Sequence, residues 1–141
     1  MKSTQNIYPE NPDIKTPLTD IDLDYFRNLL EKNRKDARVE LDALQENLDN
    51  IMASDDEEYS ALTHHEADVG SDVEEEETNF KLIERTRKYI EQINDALERI
   101  ENKTYGVCMA TGKQISKGRL EAVPHTRYSI QAKKKGLVRD D

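Results

Sequence analysis

The sequence predicts an all-α protein whose main element is a long antiparallel two-helix coiled-coil hairpin. Two observations carry this. Of 141 residues only 35% are apolar and 36% are charged, with no Trp and two Phe, against roughly half apolar and a quarter charged in an ordinary domain. Such a chain cannot fill a thick multilayer core or wall a deep apolar pocket; it can build something thin around one apolar seam. The second observation is that its apolar residues fall in two stripes of helical period and similar length, neither of which a lone helix can hide.

In chain order, residues 1–18 are polar, hold Pro9, Pro12 and Pro17, and read as a disordered arm. Thr19-Asp20-Ile21-Asp22 then offers a Thr cap with an acid three residues on, the signature of a helix start. Leu23, Phe26, Leu30, Asn33, Ala37, Leu41, Leu44, Leu48 and Ile51 follow at steps of three and four. This is a heptad seam with one stutter after Ala37, and it predicts a helix from about Asp20 to Ser54. The connector, 55–72, is expected as an acidic loop at the hairpin tip. A second seam starts near Phe80 and continues through Ile83, Thr86, Ile90, Ile93, Leu97 and Ile100. Its helix is expected to start within Glu74–Glu77, where acids suit the positive end of the helix dipole, and to stop near Lys103, with the glycine of Tyr105-Gly106 as terminator. Two matched seams joined by a connector favour a hairpin over 19–104. The alternative is a parallel homodimer through one helix, and the polar Asn33 can tune register in either; a monomer is the expectation.

The net charge of −9, from 30 acids and 21 bases, is unevenly spread. Asp55–Glu77 holds eleven acids and no Lys or Arg, which leaves 19 acids against 21 bases in the rest of the chain; from Lys103 onward nine bases face three acids. An acidic chain is not expected to bind nucleic acid in bulk or to recognise a DNA sequence. No stretch reaches the roughly 20 apolar residues that span a bilayer, and the N-terminus lacks an apolar signal core, so a soluble, cytoplasmic protein is expected. The single cysteine, Cys108, excludes an intramolecular disulfide and offers at most one thiolate; it reads as packed rather than redox-active. Nothing pairs a nucleophile with a base, so the chain is not expected to be an enzyme.

The C-terminal segment 105–141 has little helical period but a distinctive run. Tyr105, Gly106, Cys108, Gly112, Ile115, Arg119, Leu120, Glu121, Ala122 and Pro124 stand at offsets that resemble the DksA/TraR family of bacterial transcription regulators. That family carries a YG-x-C-x-x-C-G knuckle, then I-x-x-x-RLEA-x-P, then a C-x-x-C pair. The resemblance extends from about Leu18 to Lys135, because the family also places a long helical hairpin before its knuckle. It implies a small zinc-knuckle module closed by a short terminal helix and a basic tail. At the four ligand positions, however, stand Cys108, Thr111, Ser129 and Ala132. A structural zinc requires four Cys or His side chains, hydroxyls hold their protons too tightly to replace thiolates, and His125, four residues before Ser129, does not complete a set. The family's zinc is therefore expected to be lost. The degenerate knuckle would rest on packing of Tyr105, Val107, Ile115, Leu120, Val123, Tyr128 and Ile130, propped by the hairpin base.

The resemblance also implies a partner. In the family the hairpin enters the secondary channel of bacterial RNA polymerase and brings a D-x-x-D-x-A tip near the active-site magnesium. Counting back without gaps from the second helix puts Asp68 at the second acidic position, Gly70 at the alanine position and His65 at the first acidic one. Glu66 and Asp72 stand close enough in sequence to supply that acid. Family members further hold the alarmone ppGpp against polymerase with basic residues of the second helix and the C-terminal end. Arg85 matches one such position, Arg87 and Lys88 flank it, Gln92 stands where a Lys is common, and Lys133 and Lys134 supply the basic end. The expected function is regulation of transcription by docking on polymerase. The alternative is an acidic coiled-coil interaction or stress protein that kept the fold without polymerase activity.

Overall fold

The computed structural model describes residues 15–56 and 66–137; most of the N-terminal arm, the connector 57–65 with His65, and residues 138–141 lie outside the described residues. The helices are α1 (Asp20–Asp56), α2 (Glu66–Glu101), α3 (Lys117–Ala122) and α4 (Ile130–Lys134). Between α2 and α3 an isolated antiparallel bridge pairs Val107 with Gln114. The chain divides into two compact units, one made of the residues up to Arg34 together with those from Glu91 onward, the other of Lys35–Ile90.

Helix α1 begins as the capping box predicts. Thr19 Oγ1 accepts from the Asp22 N–H at 3.1 Å, and the Asp22 carboxylate accepts in return from the Thr19 N–H at 3.4 Å. Helix α2 differs from expectation at both ends. It begins at Glu66 rather than within Glu74–Glu77, so Glu66, Asp68, Gly70 and Asp72 stand in its first two turns and not in a loop. Acids are favourable in a first turn, and one glycine costs a helix only about 1 kcal/mol. At the other end the left-handed residue that closes the helix is Lys103 (φ 63°), and Gly106, also at positive φ, lies beyond the cap. The Thr104 N–H bonds back to Arg99 O at 2.9 Å and the Lys103 N–H to Ile100 O at 3.1 Å, the paired pattern of a Schellman cap.

In the Lys35–Ile90 unit, Ala37, Leu48, Ile83 and Thr86 are buried as the seams predict. Phe80, expected to open the second seam, is 49% exposed, and the buried residue there is its neighbour Asn79. Asn79 is satisfied on both sides of its amide: it accepts from Asn47 Nδ2 at 3.2 Å and donates to Glu75 O at 2.9 Å. Such a polar pair in an apolar seam fixes register at some cost in stability.

The other unit holds the larger core. Leu23, Phe26 and Leu30 of α1 and Ile93, Ala96 and Ile100 of α2 are buried together with Tyr105, Cys108, Ile115, Leu120 and Ala132. The Phe26 and Tyr105 rings lie 5.6 Å apart. Arg34 donates to Asn94 at 2.7 Å, Arg27 pairs with Glu101 at 3.6 Å and Lys103 with Asp20 at 3.2 Å. Partner numbers on α2 thus rise as those on α1 fall, so the helices run antiparallel. Three expectations change here. Leu18, assigned to the arm, is buried, and the Thr16 N–H bonds to Lys103 O at 2.6 Å. Ile130 is 43% exposed, and Val123 and Tyr128 are only half-buried. The small core is instead completed by Leu18, Cys108 and Ala132.

Candidate functional site

The knuckle is a tight reversal that two glycines allow. Gly106 (φ +89°) sits so close to Leu18 that a Cβ there would stand 3.1 Å from Leu18 Cδ1. Gly112 (φ 74°) turns the chain back. The Cys108 N–H then bonds to Lys113 O, the Gly112 N–H to Cys108 O and the Ile115 N–H to Gly106 O, each at 2.8 Å. A second arm closes over this turn: the Met109 N–H bonds to Arg127 O at 2.8 Å, and the Ser129 N–H to Cys108 Sγ at 3.4 Å. Ser129 also caps α4, accepting from the Ala132 N–H at 3.1 Å.

The four family ligand positions are therefore brought together. Cys108 and Ala132 are fully buried, and the Cys108 sulfur accepts from the Ser129 N–H at 3.4 Å. Burial pushes the Cys108 thiol up, but bonds from Thr111, Ser129 and the Ala110 N–H outweigh it and leave the thiol below its ordinary value. One thiol, two hydroxyls and a methyl do not fit zinc, which takes four N or S ligands. Among the described residues no group of three His, Cys, Asp or Glu is placed to hold a metal.

Arg99, which sequence reasoning passed over, clasps this module from α2. It is 5% exposed and donates to the backbone carbonyls of His125 (3.4 Å) and Thr126 (3.3 Å). Burial, with Arg127 nearby, lowers it to about 10. Tyr105 is raised by burial and donates its hydroxyl to Pro124 O at 2.7 Å. His125 is lowered by burial and by the neighbouring Arg99 and Arg119. The signal for Arg99 was available: it falls three residues after Ala96, inside the apolar stripe. Arg119 adds a second clasp, to Tyr128 O and Thr126 Oγ1, both at 3.4 Å, and Arg127 pairs with Asp95 at 2.5 Å.

The tip residues Glu66, Asp68, Gly70 and Asp72 lie on α2, with Asp68 and Asp72 one helical turn apart. Arg85 and Lys88 are exposed; Arg87 is exposed and donates to Gln45 Oε1 at 3.4 Å. Those three cations belong to the Lys35–Ile90 unit, while Lys133 and Lys134, exposed in the last turn of α4, belong to the other.

With this geometry in place, the comparisons are specific. A family model described as the prokaryotic dksA/traR C4-type zinc finger matches residues 103–135, the stretch that contains the knuckle, α3 and α4. General stress protein 16O of Bacillus subtilis is 33% identical over 97 residues, 69% of this chain and 60% of that protein. The chain likewise spans only 53% of a second Bacillus subtilis relative, YteA. The RNA polymerase-binding transcription factor DksA of Caulobacter vibrioides is 30% identical over 122 residues, which cover 84% of this chain and 78% of that protein. Among solved structures, transcription factor DksA2 from Pseudomonas aeruginosa superposes with a TM-score of 0.69 at 28% identity, covering 83% of this chain and 84% of that one. A paired-helix body, a family model over the knuckle and 30% identity along 78% of a relative's length mean that the chain belongs to the DksA/TraR family.

Proposed function

We propose that this chain is a non-enzymatic regulator of transcription that docks on bacterial RNA polymerase. In this reading the hairpin enters the secondary channel and carries Asp68 and Asp72 toward the catalytic centre. The observation that carries the proposal is the match over 84% of the chain to a protein named as an RNA polymerase-binding transcription factor. The charge distribution supports it: eleven acids and no base between Asp55 and Glu77 suit a basic channel wall or mobile catalytic loops. Exposed Arg85 and Lys88, with Arg87, face the same partner and are the residues available to hold ppGpp there. Lys133 and Lys134 give a second, independent basic contact. A polymerase partner places the protein in the cytoplasm, and no described helix is long and apolar enough to cross a membrane. The knuckle works without zinc, as a shaped base for the hairpin.

A tagged full-length chain is expected to retain core RNA polymerase from a bacterial lysate. The double substitution Asp68→Asn, Asp72→Asn should leave that retention within about twofold, since rim charges steer association more than they hold it, yet remove the effect on transcription in vitro. Retention of no polymerase subunit would overturn the docking reading. It would favour the second one, an acidic coiled-coil stress protein, for which the 33% identity to general stress protein 16O speaks.

A further inference from the structure

On the surface of the knuckle, over three of the four family ligand positions, lies a cleft of about 320 Å³. Thr111, Ser129 and Ala132 line its inner side, and Lys113, Gln114, Gln131 and Lys135 complete it. The inner hydroxyl oxygens are already engaged by backbone: Ser129 Oγ caps α4 by accepting from the Ala132 N–H, and Thr111 Oγ1 accepts from the Lys113 N–H. What remains for a ligand is the outer ring, two ammonium groups and two side-chain amides. Among the described residues no carboxylate lines the cleft. Among the described residues neither Lys113 nor Lys135 takes part in an ion pair, although exposed acids elsewhere in the same unit do.

We propose that this cleft binds a small phosphate-bearing anion of about pyrophosphate size, held between Lys113 and Lys135 and oriented by the Gln114 and Gln131 amides. The volume is at the low end for small-molecule sites, which suits a compact polyanion and not an extended cofactor. Two cations bordering a concave surface focus potential more strongly than the same charges on an open face, and amides add hydrogen bonds to phosphate oxygens without an opposing charge. In a zinc-bearing knuckle the sulfurs and metal would occupy the depth of this region; with Thr, Ser and Ala there, the depth stays polar and uncharged. The cleft uses none of the residues assigned above to polymerase or ppGpp, although Lys133 and Lys134 stand between Ala132 and Lys135 in sequence, so pyrophosphate binding by the free chain tests it apart from polymerase docking.

The full chain at near-physiological salt is titrated with inorganic pyrophosphate and followed by backbone amide NMR shifts. Saturable shifts are expected at Lys113, Gln114, Gln131 and Lys135. Lys113→Gln and Lys135→Gln should each weaken binding at least about threefold, the double variant should abolish saturation, and all should keep the parent thermal midpoint, since both side chains are exposed. Lys81→Gln, an exposed lysine of the other unit, should change nothing. The proposal is overturned if pyrophosphate at ten-millimolar order produces no saturable shift, if Lys81→Gln weakens binding as much as the cleft variants, or if a short polynucleotide binds here while pyrophosphate does not.

Discussion

Gly106 occupies a position where two separate constraints meet. Its φ of +89° lies in the left-handed region, and the added Cβ would press on Leu18 at 3.1 Å and touch Leu120 at 3.7 Å. The backbone conformation alone costs a non-glycine residue about 1–2 kcal/mol, and Leu18 and Leu120 are buried, so neither can move away freely. Gly106→Ala is expected to lower stability by about 2–3 kcal/mol in urea unfolding; a change below about 0.5 kcal/mol would mean that the turn relaxes. The glycine was legible as a special residue, but its role was not. The sequence suggested a helix terminator, whereas Lys103 closes the helix and Gly106 lets the knuckle pass under Leu18. A lysine in the left-handed conformation leaves no mark on a one-dimensional pattern, because the cap is decided by backbone bonds from Thr104 and Lys103. Arg99 is the reverse case: a cation in an apolar stripe was visible, but the carbonyls of His125 and Thr126 that explain it come from 26 and 27 residues away.

At the scale of elements, period carried most of the information. Leu23, Phe26, Leu30, Ala37, Leu48, Ile83, Ile93 and Ile100 are buried where steps of three and four place them. Boundaries were harder. The start of α2 at Glu66 lies in a stretch with little apolar content, where only cap and dipole preferences speak and several first turns are nearly equal. The knuckle was legible through its run of family residues, and the loss of its ligand set was visible in the sequence itself. Its replacement was not: the bonds from Thr111 and Ser129 to Cys108, the Arg99 clasp and the burial of Leu18 are tertiary facts. Zinc supplies much of the folding energy of small metal knuckles. On the zinc-free reading proposed above, that role falls to a core continuous with α1 and α2, and removing metal should not matter. Protein purified without chelator is expected to carry well under one zinc per chain, and excess EDTA should leave the thermal midpoint within about 1 °C. Stoichiometric zinc, or a midpoint that drops with chelator, would mean that the hydroxyls and Cys108 are not the whole donor set.

For the whole molecule, acid is expected to weaken the fold through the knuckle. His125 is lowered by burial and by the positive charge of Arg99 and Arg119, so the folded protein keeps the ring neutral to a lower pH than the unfolded chain does. An unfolded chain takes up a proton on this ring near the ordinary value of 6.5. As pH falls through that value the unfolded state therefore binds more protons than the folded one, and stability falls with it, by at most about 1.4 kcal/mol per pH unit for one group. Asp22 contributes in a different window. Its hydrogen bond from Lys117 holds it below 3.8, so its stabilisation persists until much lower pH and cannot account for a loss between pH 7 and 5. The urea midpoint is thus expected to decline from pH 7 to 5 in the parent chain, and the decline should flatten in His125→Gln, which keeps the backbone carbonyl that Arg99 uses. Because the Arg99 clasp uses the backbone carbonyl of His125, the variant stays folded and only the proton linkage is lost. An equally steep decline in the variant would assign the acid sensitivity to groups outside the knuckle and remove His125 from the account.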